Sequence, residues 1–284
     1  MVAYYAIKND FGVIFLTKLN VGDIVTRRSY DGDILFRVVN IKFNCDGSEC
    51  YVLRGLSSRI EADSNADDLV KQDARVAYSR AYKELNQTKI RIEGARPVFE
   101  TILSRLRKRP GKILHIDSAQ DFMDKCIDFY NQAGINCYGK LASESNQPSV
   151  VKQYLNTYKP DILVLTGHDG LKKDAKNLHS LESYANSAYY IEAVKIARSF
   201  QPDPDKLCIF AGACQSYYEA IMKAGANFAS SPKRVLINAL DPAIVAQKIS
   251  VTDSATILQS KAVIALTITG DSGIGGNDSR GQLK

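Results

Sequence analysis

Asp161-Ile162-Leu163-Val164-Leu165-Thr166-Gly167-His168-Asp169-Gly170 and Lys206-Leu207-Cys208-Ile209-Phe210-Ala211-Gly212-Ala213-Cys214-Gln215-Ser216 are two copies of one arrangement. Each is a short apolar run that stops at a glycine, with a reactive side chain just beyond it. Such a run reads as a strand buried on both faces of a parallel sheet. If the two strands are neighbours, His168 and Cys214 emerge side by side at the carboxyl edge, where α/β folds place their ligands. A histidine in that position can take the thiol proton and make Cys214 a nucleophile.

The sequence around these runs keeps the same grammar from Gly111 onward. Ile113 to Ile116 predicts a strand ending at Asp117-Ser118, with a helix then running to about Ala133. Ile135 to Tyr138 predicts a second strand and Ser149 to Tyr158 a second helix. The His168 strand, a helix near 186–199, and the Cys214 strand with its following helix come next. Arg234 to Leu240, ending at Asp241-Pro242, predicts a fifth strand, and Ala262 to Ile268 a sixth. Alternating strands and helices imply an α/β unit over 111–284, a mostly parallel sheet with helices on both faces. The polar, glycine-rich tail from Gly270 is expected to be mobile at its end.

The first part of the chain is different. Residues 1–62 hold short apolar runs separated by Asp31-Gly32 and Asp46-Gly47, which predicts a small SH3- or Tudor-like β-barrel. Residues 63–110 predict a basic helical linker, with Leu69, Val76, Tyr78, Tyr82 and Leu85 at roughly helical spacing. Between Lys71 and Pro110 there are eleven Lys or Arg against four Asp or Glu. That density suits a solvated helix face, and no nucleic-acid motif accompanies it, so the reading is against nucleic acid as a partner.

The 284 residues carry a formal charge of +6 and six scattered cysteines. No window is apolar for long enough to cross a bilayer, and no cleavage pattern follows the apolar run at 11–16. Free thiols in a reducing, cytoplasmic compartment are therefore expected, with no membrane partner, no metal and no cofactor. Cys45 and Cys50 could form half of a zinc site, but a second ligand pair is missing from the sequence around them. Gly270-Asp271-Ser272-Gly273 copies part of a trypsin-like serine signature without the rest of that architecture. It also lacks the helix a phosphate-binding loop requires.

Of the three histidines, His115 lies inside a strand and reads as core, and His179 is a fallback base in a polar loop. Cys208 lies within its apolar run and reads as a structural thiol. Cys214 lies past its run, before a helix whose N-terminus favours a thiolate and offers N–H groups to an oxyanion. These blocks resemble the caspase-like cysteine peptidases, the group that includes gingipains, clostripain, separases and metacaspases. Val21-Gly22-Asp23-Ile24-Val25 and Asp33 to Val39, taken with the His168 and Cys214 blocks, resemble more narrowly a sporulation-specific protease family of spore-forming Firmicutes.

That resemblance implies a cysteine endopeptidase with a Cys214–His168 dyad, cleaving after arginine and processing spore coat or cortex proteins. It implies action in the mother-cell cytoplasm at the forming spore coat. Asp169 interrupts the usual His-Gly, leaving Asp169 or Gly170 to supply an oxyanion N–H beside that of Cys214. An arginine-binding S1 slot needs a buried carboxylate. Asp117 is the first candidate and Asp241 the second, each with helix capping as the structural alternative. The arginine-rich linker near Arg105–Arg109 suggests self-cleavage. The competing expectation is a non-catalytic module that binds a partner or nucleic acid, with the α/β unit as scaffold; a thiol hydrolase acting on a different substrate is a further one.

Overall fold

A computed structural model describes residues 4–9, 12–83, 108–173 and 175–284, with side chains described from residue 18 onward. Most of the basic segment, including Arg105 and Arg107, lies outside the described residues, as does the expected self-cleavage region except for Lys108 and Arg109. The chain divides into two compact units, Met1–Ser57 with Glu61–Glu84, and Ser58–Ile60 with Leu85–Lys284.

In the first unit, β1 (Tyr4–Asn9) and β2 (Gly12–Thr17) form an antiparallel hairpin. A five-stranded antiparallel sheet follows, in the order β6-β5-β4-β3-β7. Its strands are β3 (Ile24–Arg27), β4 (Phe36–Phe43), β5 (Glu49–Gly55), β6 (Glu61–Asn65) and β7 (Leu69–Lys71). Phe36 and Val38 on β4, with Tyr51 and Leu53 on β5, alternate inward and are buried. The two Asp-Gly turns fall where the sequence places them, and Asp31, Gly32 and Gly47 take up the left-handed backbone they need.

The helix expected from residue 63 begins later. Residues 63–71 are mostly strand, because Cys50 to Arg54 pair with Glu61 to Asn65 and Leu69 is buried in the sheet. The helix, α1, starts only at 74 and is described to 83. It buries Ala77 against Ile24 and Leu56. Val76, Tyr78 and Tyr82, set at roughly helical spacing in the sequence, are exposed.

The second unit is the α/β body. Its six-stranded sheet has the order β14-β12-β11-β10-β8-β9. The strands β8 (Ile113–Asp117), β9 (Cys137–Leu141), β10 (Ile162–Leu165), β11 (Cys208–Ala211) and β12 (Phe228–Ser230) are mutually parallel. The edge strand β14 (Ile274–Gly276) is antiparallel to β12. Successive residues face opposite ways. Ile162 and Val164 pack with α2 (Gln120–Gln132) and α6 (Asp241–Val251). Leu163 and Leu165 pack with α3 (Gln147–Tyr158) and α4 (Ser187–Phe200). The short α5 (Tyr218–Lys223) adds Ile221 to that second face. Burial on both faces accounts for the unbroken apolar runs.

Three expectations for this unit need correction. Arg234 to Leu240 is not a sheet strand. Arg234 has a left-handed backbone (φ 57°), and the run turns into α6 with Pro242 in its first turn. Phe228–Ser230 takes the place beside β11 instead. Ala262 to Ile268 does not form a strand either; α7 (Ser260–Ile264) takes up its start and buries Val263 and Ile264. The tail is built into the fold: β15 (Ser279–Arg280) pairs with β13 (Ile257–Leu258), and Arg109 and Lys284 exchange backbone hydrogen bonds. Its glycines serve close approach, since a Cβ on Gly276 would run into the Phe228 ring. Among the described residues, no helix is long and apolar enough to cross a membrane.

Candidate active site

Parallel pairing sets Leu165 opposite Ala211, so His168 and Cys214 each lie three residues beyond a paired position on neighbouring strands. Gly167 gives the first strand end its tight exit. A Cβ there would collide with Glu144 Oε1 and sit 2.6 Å from Ser118 Oγ. Gly212 does the same for the second strand, with a left-handed φ of 108° and Ser230 Oγ 2.5 Å from where its Cβ would be.

His168 is held from two sides. Its Nδ1 lies 3.1 Å from Ser118 Oγ and 3.5 Å from Glu144 Oε1, and its backbone N–H donates to that same carboxylate oxygen at 2.7 Å. Ser118 Oγ donates to Glu144 Oε1 at 2.5 Å. Ser118, at the junction between strand and helix, therefore turns toward the imidazole. Glu144 is the acidic partner that a dyad reading of the sequence omits. It follows β9 just as His168 follows β10, so the strand-end rule could have found it.

Burial works against ionisation of Glu144, but hydrogen bonds from His168 and Ser118 outweigh it and hold the carboxyl below its ordinary value. A depressed carboxyl contributes stability that is complete above the unfolded value of 4.5 and is lost as the pH falls through the folded value. Thermal melts of wild type and Glu144→Gln should differ at neutral pH and converge on acidification. A gap that does not change with pH would show that the carboxylate charge is not the source.

Asp169 fastens the loops that carry His168 and Cys214. Its Oδ1 accepts from the N–H groups of Gly170 (2.9 Å) and Asn186 (2.7 Å). Its Oδ2 accepts from Ser187 Oγ (2.5 Å) and Ser216 Oγ (2.9 Å), and Ser216 Oγ in turn accepts from the Ala213 N–H beside Cys214. The residue that interrupts His-Gly thus braces the Cys214 loop, and the Gly170 N–H is turned onto the Asp169 carboxylate.

Cys214 is buried, with the Ile237 N–H pointing at its Sγ from 3.2 Å. Burial pushes its thiol up to about 12 despite that hydrogen bond. In the intact chain, iodoacetamide at neutral pH should therefore modify exposed Cys45 well before Cys214, by about a hundredfold or more given the lost thiolate fraction. Peptide mapping after a timed quench reads the order directly.

Asp117, at the end of β8, is fully buried and lines a slot that contains the side chain of Arg59. Arg59 Nη1 meets Asp117 Oδ2 at 2.5 Å, while Nε and Nη2 donate to the Ala239 carbonyl at 3.2 and 3.1 Å. The guanidinium carbon lies 5.1 Å from the Phe122 ring centroid. Thr166 Oγ1 donates to Asp117 Oδ2 at 2.8 Å, and His115 Nε2 stands 2.8 Å from that hydroxyl. His115, expected in the core, is buried there and also supports this carboxylate. Burial opposes ionisation of Asp117, but the Arg59 charge and His115 overcome it and hold the carboxyl far below the usual range.

Two contacts join the slot to His168 and Cys214. Phe122 faces both Arg59 and the His168 ring, the latter at 5.9 Å between centroids. Ile237 accepts the Arg59 N–H at 3.0 Å while its own N–H reaches Cys214.

Asp241 is occupied by the backbone around it. Its oxygens accept from the N–H groups of Asn238, Ile268 and Thr269 and from the Thr269 hydroxyl, so it brackets the start of α6. His179 is exposed in its loop, with its carbonyl bonded to the Tyr217 hydroxyl. Among the described residues, no group of three His, Cys, Asp or Glu side chains is placed to hold a metal ion.

Residues 20–284 match the family described as YabG peptidase U57. The chain belongs to that family. It is 35% identical over 281 residues to the sporulation-specific protease YabG of Bacillus subtilis (strain 168), covering 94% of this chain and 97% of the relative. No solved structure matches it. Membership in the YabG family makes the chain a peptidase, a hydrolase of peptide bonds, associated with sporulation.

Proposed function

We propose that the chain is a caspase-like cysteine endopeptidase that cleaves after arginine. Cys214 attacks the scissile carbonyl, and His168 takes the thiol proton and returns it to the leaving amine. Ser118 and Glu144 position the imidazole. The N–H groups of Cys214 and Asp169 receive the oxyanion, a choice supported by the engagement of the Gly170 N–H with the Asp169 carboxylate. Asp117 is the S1 carboxylate and Asp241 a structural bracket.

The observation that carries this reading is the buried pairing of Asp117 with a guanidinium, in a slot whose walls also touch His168 and Cys214. A buried carboxylate needs a counter-charge or a full set of hydrogen-bond donors; Asp117 has a guanidinium where Asp241 has backbone N–H groups, and the slot beside Phe122 suits arginine better than lysine. The substrates we propose are spore coat or cortex proteins in the mother-cell cytoplasm, in keeping with the named activity of the relative. The small antiparallel sheet, read as an SH3- or Tudor-like barrel, would bind such partners.

The test is a series of reporter peptides differing only before the scissile bond. Arginine should exceed lysine and far exceed neutral residues, and equal rates across the series would defeat the assignment.

A further inference from the structure

The cation in the proposed S1 slot belongs to the chain itself. Arg59 is among the most deeply buried large side chains, and the tripeptide Ser58–Ile60 is grouped with the α/β unit although the chain on both sides of it is not. Its backbone docks in extended fashion: Ser58 makes an antiparallel bridge to Asn238, and the Arg59 N–H donates to the Ile237 carbonyl at 3.0 Å. An extended peptide docks on a neighbouring segment in this way, with main-chain bonds giving affinity and a side-chain slot giving specificity. The Ile60 N–H closes a tight turn onto the Ser58 carbonyl at 2.9 Å, a turn in which the Arg59 carbonyl takes no part. A structural core would gain as much from an apolar residue here as from a desolvated ion pair. A docked substrate needs the arginine.

We propose that Ser58–Arg59–Ile60 is an intramolecular substrate, and that Arg59–Ile60 is the first bond this enzyme cuts. The inference rests on the peptidase reading above. Cys214 Sγ, its proton passed to His168, adds to the Arg59 carbonyl carbon. The C–N bond to Ile60 breaks as His168 returns the proton to the Ile60 nitrogen. Water then hydrolyses the thioester, leaving a carboxylate on Arg59 and restoring the thiol. Until the cut, the tripeptide fills the slot that other substrates need.

The full-length chain, incubated and weighed by denaturing intact-mass spectrometry, should yield two fragments, one ending at Arg59 and one beginning at Ile60. Their appearance should be first order and independent of protein concentration, and wild type should not cut this bond in the Cys214→Ala chain. Arg59→Ala should lose the two fragments. Because that variant strands Asp117 and could misfold, Ile60→Pro serves as the second: it leaves the Arg59–Asp117 pair in place and should also lose them. If wild type hydrolyses an arginyl reporter while Arg59–Ile60 stays whole, the inference is overturned and the peptidase reading stands. If neither wild type nor any variant hydrolyses the reporter, both fall together.

Discussion

Asp117→Asn is expected to lower kcat/KM for arginyl peptides by about 10²- to 10³-fold, because a guanidinium entering the slot would be desolvated without a counter-charge. The intact protein should register the same loss in stability. Arg59 and Asp117 are both fully buried, and removing one partner of such a pair costs about 3–5 kcal/mol. Denaturant titration in the Cys214→Ala background, expected to be catalytically silent, isolates this effect from any processing. Adding Arg59→Gln to Asp117→Asn should recover much of the loss, since the stranded charge disappears with it. A double variant no more stable than Asp117→Asn alone would mean that the carboxylate acts through Thr166, Ala119 and His115 rather than through the ion pair. The depressed carboxyl also fixes the sign of the pH response. Its contribution is complete above the ordinary value of 3.8 and survives until the solution is strongly acidic.

Cys214→Ala should reduce kcat on an arginyl reporter by about 10⁴-fold or more, and His168→Ala by a similar amount. The double variant should be no worse than either single one, because nucleophile and base act as one unit. Near-additive losses would indicate that His168 serves something other than the thiol. Neither substitution should alter the Arg59–Asp117 pair, so normal melts accompanied by lost turnover would separate chemistry from folding.

The sequence made the reactive strand ends legible because burial on both faces writes an unbroken apolar run, and glycine marks where the run stops. Asp117 was legible for the same reason. Arg234 to Leu240 misled because apolar residues that line a slot look the same as apolar residues in a sheet, and only the left-handed Arg234 sets them apart. Ala262 to Ile268 misled because a short buried run has no period long enough to separate helix from strand. Glu144 was overlooked as an ordinary loop acid, its role depending on the Cβ that Gly167 lacks. Arg59 could not be read at all. It lies far upstream of the strand ends, and nothing nearby marks it as bound for a carboxylate.

The pairing of β5 with β6 bears on what such a cut would look like from outside. A break after Arg59 falls in the connection between two strands whose registers run from Arg54–Glu61 to Cys50–Asn65. The pieces would stay zipped as a nicked hairpin: gel filtration would report one particle, and only unfolding would reveal two chains. Heat or denaturant would then separate the halves for good, because rejoining them would be bimolecular. A protein matured this way would remember having been unfolded.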